Sequence, residues 1–138
     1  MEFHPQKCLV LKVSNKRNLI KFNYHIHNTL LKETDSAKYL GVNIDSKLKW
    51  TKHLDQTSHK ANNILSFLKR NLNNCPTHIK AQCYNALVRP ILEYGCVVWD
   101  PHHRSDIDRL EKIQKRAARF ATNNYNFEHG GKKQIWKN

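Results

Sequence analysis

The chain has 138 residues, with 24 Lys and Arg against 11 Asp and Glu, a formal charge of +13 when its nine His are neutral. That length holds one ordinary core or pieces of two small ones, and excludes a large multidomain enzyme. A hydrophobic share of 39% with only four Gly and four Pro excludes a low-complexity chain. The positive excess is spread evenly: eight cations to four acids over residues 1–47, seven to three over 48–100, nine to four over 101–138. An even excess points to a folded basic surface rather than a basic arm, and so to a polyanion as partner.

Residues 1–7 carry no apolar leader, and no stretch approaches the roughly 18 apolar residues of a membrane span, so a cytoplasmic or nuclear chain is expected. Cys8, Cys75, Cys83 and Cys96 contain no C-x-x-C pair. They are read as core thiols, with neither disulfide nor metal site expected.

The first third reads as strand and turn. Cys8 to Val13 is apolar and β-prone, Ser14 to Asn18 has turn composition, and Leu19 to Ile26 alternates, so a hairpin is predicted. His27-Asn28 suits a second tight turn into Thr29 to Lys32, because Asn tolerates positive φ. Glu33 to Ala37 is polar and loop-like, and Lys38 to Asp45 follows as one more strand. Near Asp45 to Lys49 the apolar period changes from about two to about 3.6. Over Lys52 to Asn71, Leu54, Ala61, Ile64, Leu65 and Leu68 share one helical face. Pro76 then opens a second helix running toward Arg89, with Ile79, Cys83, Ala86 and Leu87 inward, and Pro90 ends or kinks it. The fold class is α+β: short antiparallel β hairpins over 1–47, an all-α helical bundle over 48–125, and a divergent basic tail over 126–138.

The last long helix has the clearest signals. Ser105-x-x-Asp108 resembles a capping box, and Asp106 and Asp108 suit a first helical turn. Ile107, Leu110, Ile113, Ala117, Phe120 and Ala121 form one face. Arg109, Lys112, Arg116 and Arg119 fall in a ~80° stripe on another. Four cations so spaced repel one another, and an anion laid along them would relieve the repulsion, so the stripe is a candidate phosphate rail. A solvated face is the alternative reading of the same spacing.

No phosphate loop, nucleophile elbow or H-E-x-x-H zinc motif occurs. Asp106 and Asp108 point about 200° apart on a helix, which is wrong for sharing Mg²⁺. A nucleic-acid module is the stronger class, with Lys and Arg on phosphates and Tyr39, Trp50 or Tyr94 as stacking candidates. Trp50 and Trp99 also suit core anchors.

Phe3-His4-Pro5-Gln6-Lys7-Cys8-Leu9-Val10, with His4 in place of the usual Asn, resembles the F-N-P-x-K-C-x-V segment of the reverse transcriptases of non-LTR (LINE-type, jockey-like) retrotransposons. Lys38-Tyr39-Leu40-Gly41-Val42-Asn43-Ile44-Asp45 is similar to K-Y-L-G-V-x-I-D, and Leu87 to Gly95 to L-V-R-P-x-L-E-Y-[GA]. Val98-Trp99-Asp100-Pro101 and Leu110 to Arg119 resemble V-W-x-P and L-E-x-x-Q-x-[RK]-[AC]-x-R.

The resemblance implies the end of a polymerase palm followed by a helical thumb that tracks the template–primer duplex. It implies a general-acid role for Lys7 in a complete enzyme. It also makes Tyr39, Leu40 and Gly41 a primer-grip hairpin, where a residue without Cβ admits another backbone. Mg²⁺ is implied only for the complete enzyme, and no cofactor is expected in this chain. The catalytic aspartates of the family precede these segments, so the chain is not expected to polymerise alone. Its expected partners are an RNA–DNA or DNA duplex and the palm and fingers of such an enzyme, with no membrane. The alternative expectation is an inert, truncated transposon-derived product or a nonspecific basic nucleic-acid binder.

Overall fold

The computed structural model describes residues 4–17 and 21–124. Phe3 of the first quoted motif, Leu19 and Ile20 of the expected second strand, and the 126–138 tail lie outside the described residues. The fold is α+β, in two compact units that divide between His53 and Leu54.

The first unit is built from short strands in two-stranded sheets. After a 3-10 turn at Pro5–Lys7 come β1 (Leu9–Leu11), β2 (His25–Ile26), β3 (Thr29–Leu30), β4 (Lys32–Thr34), β5 (Ser36–Tyr39) and β6 (Val42–Asp45). The second tight turn forms as expected. His27 and Asn28, both at positive φ (47° and 59°), join β2 to β3 in antiparallel register, the geometry of a two-residue hairpin turn matched to strand twist.

Three expectations are corrected here. β1 does not fold back on residues 21–26 of the expected partner; it pairs in parallel with β4, Leu9 opposite Lys32 and Leu11 opposite Thr34. The Ser14 N–H donates to Ser46 O at 3.0 Å, which carries the chain toward the end of β6 instead of into a return strand. The polar run 33–37 is not a loop but forms the end of β4 and the start of β5. Its side chains are satisfied locally, by Lys12 Nζ to Glu33 Oε2 at 2.9 Å and Thr34 Oγ1 to Ser36 O at 2.9 Å, so polarity does not oppose strand here. Finally, 38–45 is not one strand. It turns back at Leu40 and Gly41, with φ of 45° and 86°, and pairs Tyr39 with Val42 and Ser36 with Asp45.

Asp45 organises the exit from β6, its Oδ1 accepting from the N–H groups of Lys47 (2.9 Å) and Lys49 (2.7 Å). The chain then enters α1 (Thr51–Asn71). In its first turn buried His53 accepts the Asn43 N–H on Nδ1 at 3.3 Å, which leaves the ring proton on Nε2.

The second unit contains the rest of α1, then α2 (Thr77–Leu87), α3 (Arg89–Glu93) and α4 (Arg104–Thr122). Its core brings together Ala61, Leu65 and Leu68 of α1, Tyr84 and Val88, Leu92 of α3, and Ile113, Ala117 and Phe120 of α4. The apolar faces read for α1 and α4 are the buried ones. That of α2 is corrected: Ala86 and Leu87 are exposed, while Lys80, Tyr84 and Val88 point inward. The α4 start is corrected as well. His103 occupies the N-cap without a side-chain bond, so Ser105 lies inside the first turn and forms no capping box.

Lys80 is 1% exposed. A buried ammonium is tolerated only with partners, and here Nζ donates to Asn123 Oδ1 at 2.6 Å and lies 5.4 Å from the Phe120 ring centroid. Asn123 closes α4 in the left-handed conformation (φ 53°), so the lysine sits at the negative end of that helix's dipole. Trp99 is a core anchor, 3% exposed with Nε1 donating to Tyr94 O at 2.8 Å; Trp50 is half-buried.

Two outcomes follow from these contacts. Burial holds the His53 pKa below the usual 6.5. The unfolded chain therefore takes up a proton at this position before the folded chain does. The stabilisation from neutral His53 is complete above about pH 6.5 and is lost as pH falls toward the lowered folded value. Urea midpoints measured from pH 7.5 to 5 should fall more steeply for wild type than for His53→Asn; parallel profiles would contradict this. Leu40 holds a left-handed conformation that costs a β-carbon residue roughly 1–2 kcal/mol and that Asn adopts readily. Leu40→Asn should therefore raise the unfolding free energy by up to about 1 kcal/mol.

Candidate nucleic-acid interface

Packing of Ile113, Ala117 and Phe120 into the core fixes the rotation of α4. The cation stripe, set off from that face, is thereby turned along α1. Arg109, Lys112, Arg116 and Arg119 all line one cleft of about 520 Å³, together with Lys115 and Ile113 of α4 and Asp55, Ser58, His59 and Asn62 of α1. From residue 109 to 119 the helix rises about 15 Å, the axial span of about four phosphates on one strand at 3.4 Å each.

The four cations have different surroundings. Arg109 Nη2 pairs with Asp55 Oδ1 at 2.5 Å, and Arg116 Nη1 donates to Asn62 Oδ1 at 2.8 Å. Lys112 is exposed and has no acidic partner among the described residues, while Arg119 is exposed at the far end of the cleft. Lys115 is tied to Glu111 one turn back at 3.0 Å. The Arg109–Asp55 pair is half exposed, so its own worth is at most about 1 kcal/mol, and it does not bar a ligand from the guanidinium.

Lys69 of α1 was not among the expected site residues. Its pKa is lowered, first by partial burial and then by the positive charges of Arg116 and Arg119. The basic surface thus crosses from α4 to α1, where the charges of Arg116 and Arg119 disfavour the protonated form of Lys69. Helical spacing within α1 contains the signal: Asp55, Ser58, His59, Asn62 and Lys69 recur along one edge of its apolar face. The matching positions on α4 are about 54 residues away, and only the tertiary fold pairs them.

The other predicted residues lie in the first unit. Tyr39, Leu40 and Gly41 form the tip of the β5–β6 hairpin, with Tyr39 67% and Leu40 74% exposed. Lys7 ends the 3-10 turn, exposed and without an acidic partner among the described residues. Tyr94 is also exposed. Among the described residues, no three or more His, Cys, Asp or Glu stand together as metal ligands. No helix among them is long and apolar enough to cross a membrane.

Comparison with known proteins gives the family context. The chain is 28% identical over 129 residues, 88% of its length, to the probable RNA-directed DNA polymerase from transposon BS of Drosophila melanogaster. It is 27% identical over 101 residues, 71% of its length, to the probable RNA-directed DNA polymerase from transposon X-element of the same organism. An uncharacterised Caenorhabditis elegans protein is 35% identical over 85 residues, covering 58% of this chain and 40% of that one. No family model matches, and no solved structure matches. The chain is thus similar to proteins named as probable RNA-directed DNA polymerases of transposons, and it spans 14% and 11% of the length of the two fly relatives.

Filling the cleft with anionic ligand should relieve the repulsion at Lys69. Its pKa, followed by side-chain NMR, should rise on saturation with a short RNA–DNA hybrid; an unchanged value would show that the anion does not reach the Lys69, Arg116 and Arg119 cluster.

Proposed function

We propose that this chain is the duplex-holding part of a non-LTR, jockey-like retrotransposon reverse transcriptase. In this reading the helices over 48–125 act as a thumb whose cleft takes backbone phosphates of an RNA–DNA or DNA duplex. The segment over 1–47 is the end of a palm, and its Tyr39-Leu40-Gly41 turn is a primer grip. The observation that carries the reading is the convergence of Arg109, Lys112, Arg116 and Arg119 on one cleft, with the charge of Lys69 felt by the last two. Relatives named as RNA-directed DNA polymerases support it. Phosphate contact needs cations on rigid elements and no particular base sequence, and both helices lining the cleft are fixed by the core.

The hairpin tip supports the second half of the reading. A leucine held at positive φ with its side chain in solvent is locally unfavourable, and such strain concentrates where backbone shape serves binding. Gly41 beside it leaves room for another backbone. Lys7 would act as a general acid, and Mg²⁺ would be held, only within a complete enzyme, whose palm and fingers would be further partners.

The test is a salt titration of duplex affinity for wild type and for the variant with Arg109, Lys112, Arg116 and Arg119 all changed to Ala. Each phosphate contact contributes about 0.9 to the log–log salt slope on B-form DNA. The variant should therefore lose about 3 to 4 from the slope and bind correspondingly weaker at low salt. An unchanged slope, or no binding above background by wild type, would overturn the reading.

A further inference from the structure

One residue of the cleft is at odds with a simple phosphate rail. Asp55 brings a carboxylate into a surface otherwise lined by cations and neutral groups. Like charges a few ångströms apart at a protein surface repel, so a phosphate is disfavoured beside it. Its Oδ1 is paired with Arg109 at 2.5 Å, and its side chain is 55% exposed. What that end of the cleft offers is a solvent-facing acceptor next to cations that would take phosphates. Its complement is a neutral hydroxyl lying close to a phosphate. A ribose 2′-hydroxyl meets that description on every nucleotide of RNA, and deoxyribose lacks it.

We propose that Asp55 makes the α1–α4 cleft selective for an RNA strand, accepting a hydrogen bond from a ribose 2′-hydroxyl while Lys112 and Arg116 hold neighbouring phosphates. The proposal rests on the duplex-holding reading and adds the strand that the cleft faces. Arg109 has a positioning role: it orients the carboxylate and lowers its repulsion of the phosphate chain. Asn62 acts likewise on Arg116, through the 2.8 Å bond to its guanidinium.

The test compares an RNA–DNA hybrid with the same hybrid carrying 2′-fluoro groups in its RNA strand, a substitution that keeps the ribose pucker and removes the donor. Wild type should bind the hydroxyl form up to about tenfold tighter per hydroxyl engaged, the strength of one charge-assisted hydrogen bond. In Asp55→Ala the ratio should fall to one, with affinity for the 2′-fluoro hybrid raised because a negative charge has left the cleft. A ratio of one in wild type overturns the proposal without any variant. A ratio that persists in Asp55→Ala overturns it too, and so does a rise in affinity for both hybrids from a wild-type ratio of one, which is the mark of a carboxylate that phosphate merely displaces. In each of these cases the salt slope of wild type survives. Loss of that slope, in contrast, signals failure of the duplex-holding reading itself and takes this proposal with it.

Discussion

The rotation of α4 about its own axis is the constraint on which the candidate interface depends. Ile113, Ala117 and Phe120 enter a core made by α1, α2, α3 and the residues between them, and removing a buried Phe from such a core costs about 3–5 kcal/mol. Rotating the helix would expose that face, so the cations at 109, 112, 116 and 119 are held along α1. Lys80 secures the far end. Its bond to Asn123 and its place over the Phe120 ring tie α2 to the terminus of α4, where an isolated helix would fray. The cleft is rigid because the apolar face is buried, and its charge is concentrated because the cleft is rigid.

Lys69 feels this arrangement directly: partial burial and the charges of Arg116 and Arg119 lower its pKa, while Asp55 pairs with Arg109 at the other end. A solvated basic face would spread its charges apart. Here they are drawn together by packing that gains nothing from their proximity, which is the pattern expected where a polyanion completes the site. The same contrast holds at the β5–β6 tip, where Leu40 occupies the position that an Asn-Gly turn would fill with Asn. Under the proposed function both features are tolerated because a nucleic-acid backbone lies against them.

Features that depend on local periodicity were legible from the sequence. The apolar faces of α1 and α4, the break at Pro76, the His27-Asn28 turn and the cation stripe follow from spacing within a few turns of chain. Pairings between distant residues were not. β1 chooses β4 over the nearer segment 21–26 through contacts such as Lys12 with Glu33, 21 residues apart. Lys80 reads as a surface residue until Asn123, 43 residues on, supplies its partner. The Leu40-Gly41 reversal was hidden for a different reason: a β-branched and apolar run with one Gly has strand composition, and nothing local announces a Leu at positive φ. Likewise Asp55 looks like an ordinary helix acid until α4 brings Arg109 to it. The family motifs pointed to a hairpin at this position, but the geometry of its tip came from the fold.

If one two-helix cleft, held in shape by the core, takes the nucleic-acid backbone, titration with an RNA–DNA hybrid followed by amide shift mapping will perturb His59, Asn62, Lys69, Arg109, Lys112, Arg116 and Arg119, and the perturbations will fade as salt is raised. Perturbations confined to other surfaces, or none at saturating hybrid, would show that the backbone does not bind in this cleft.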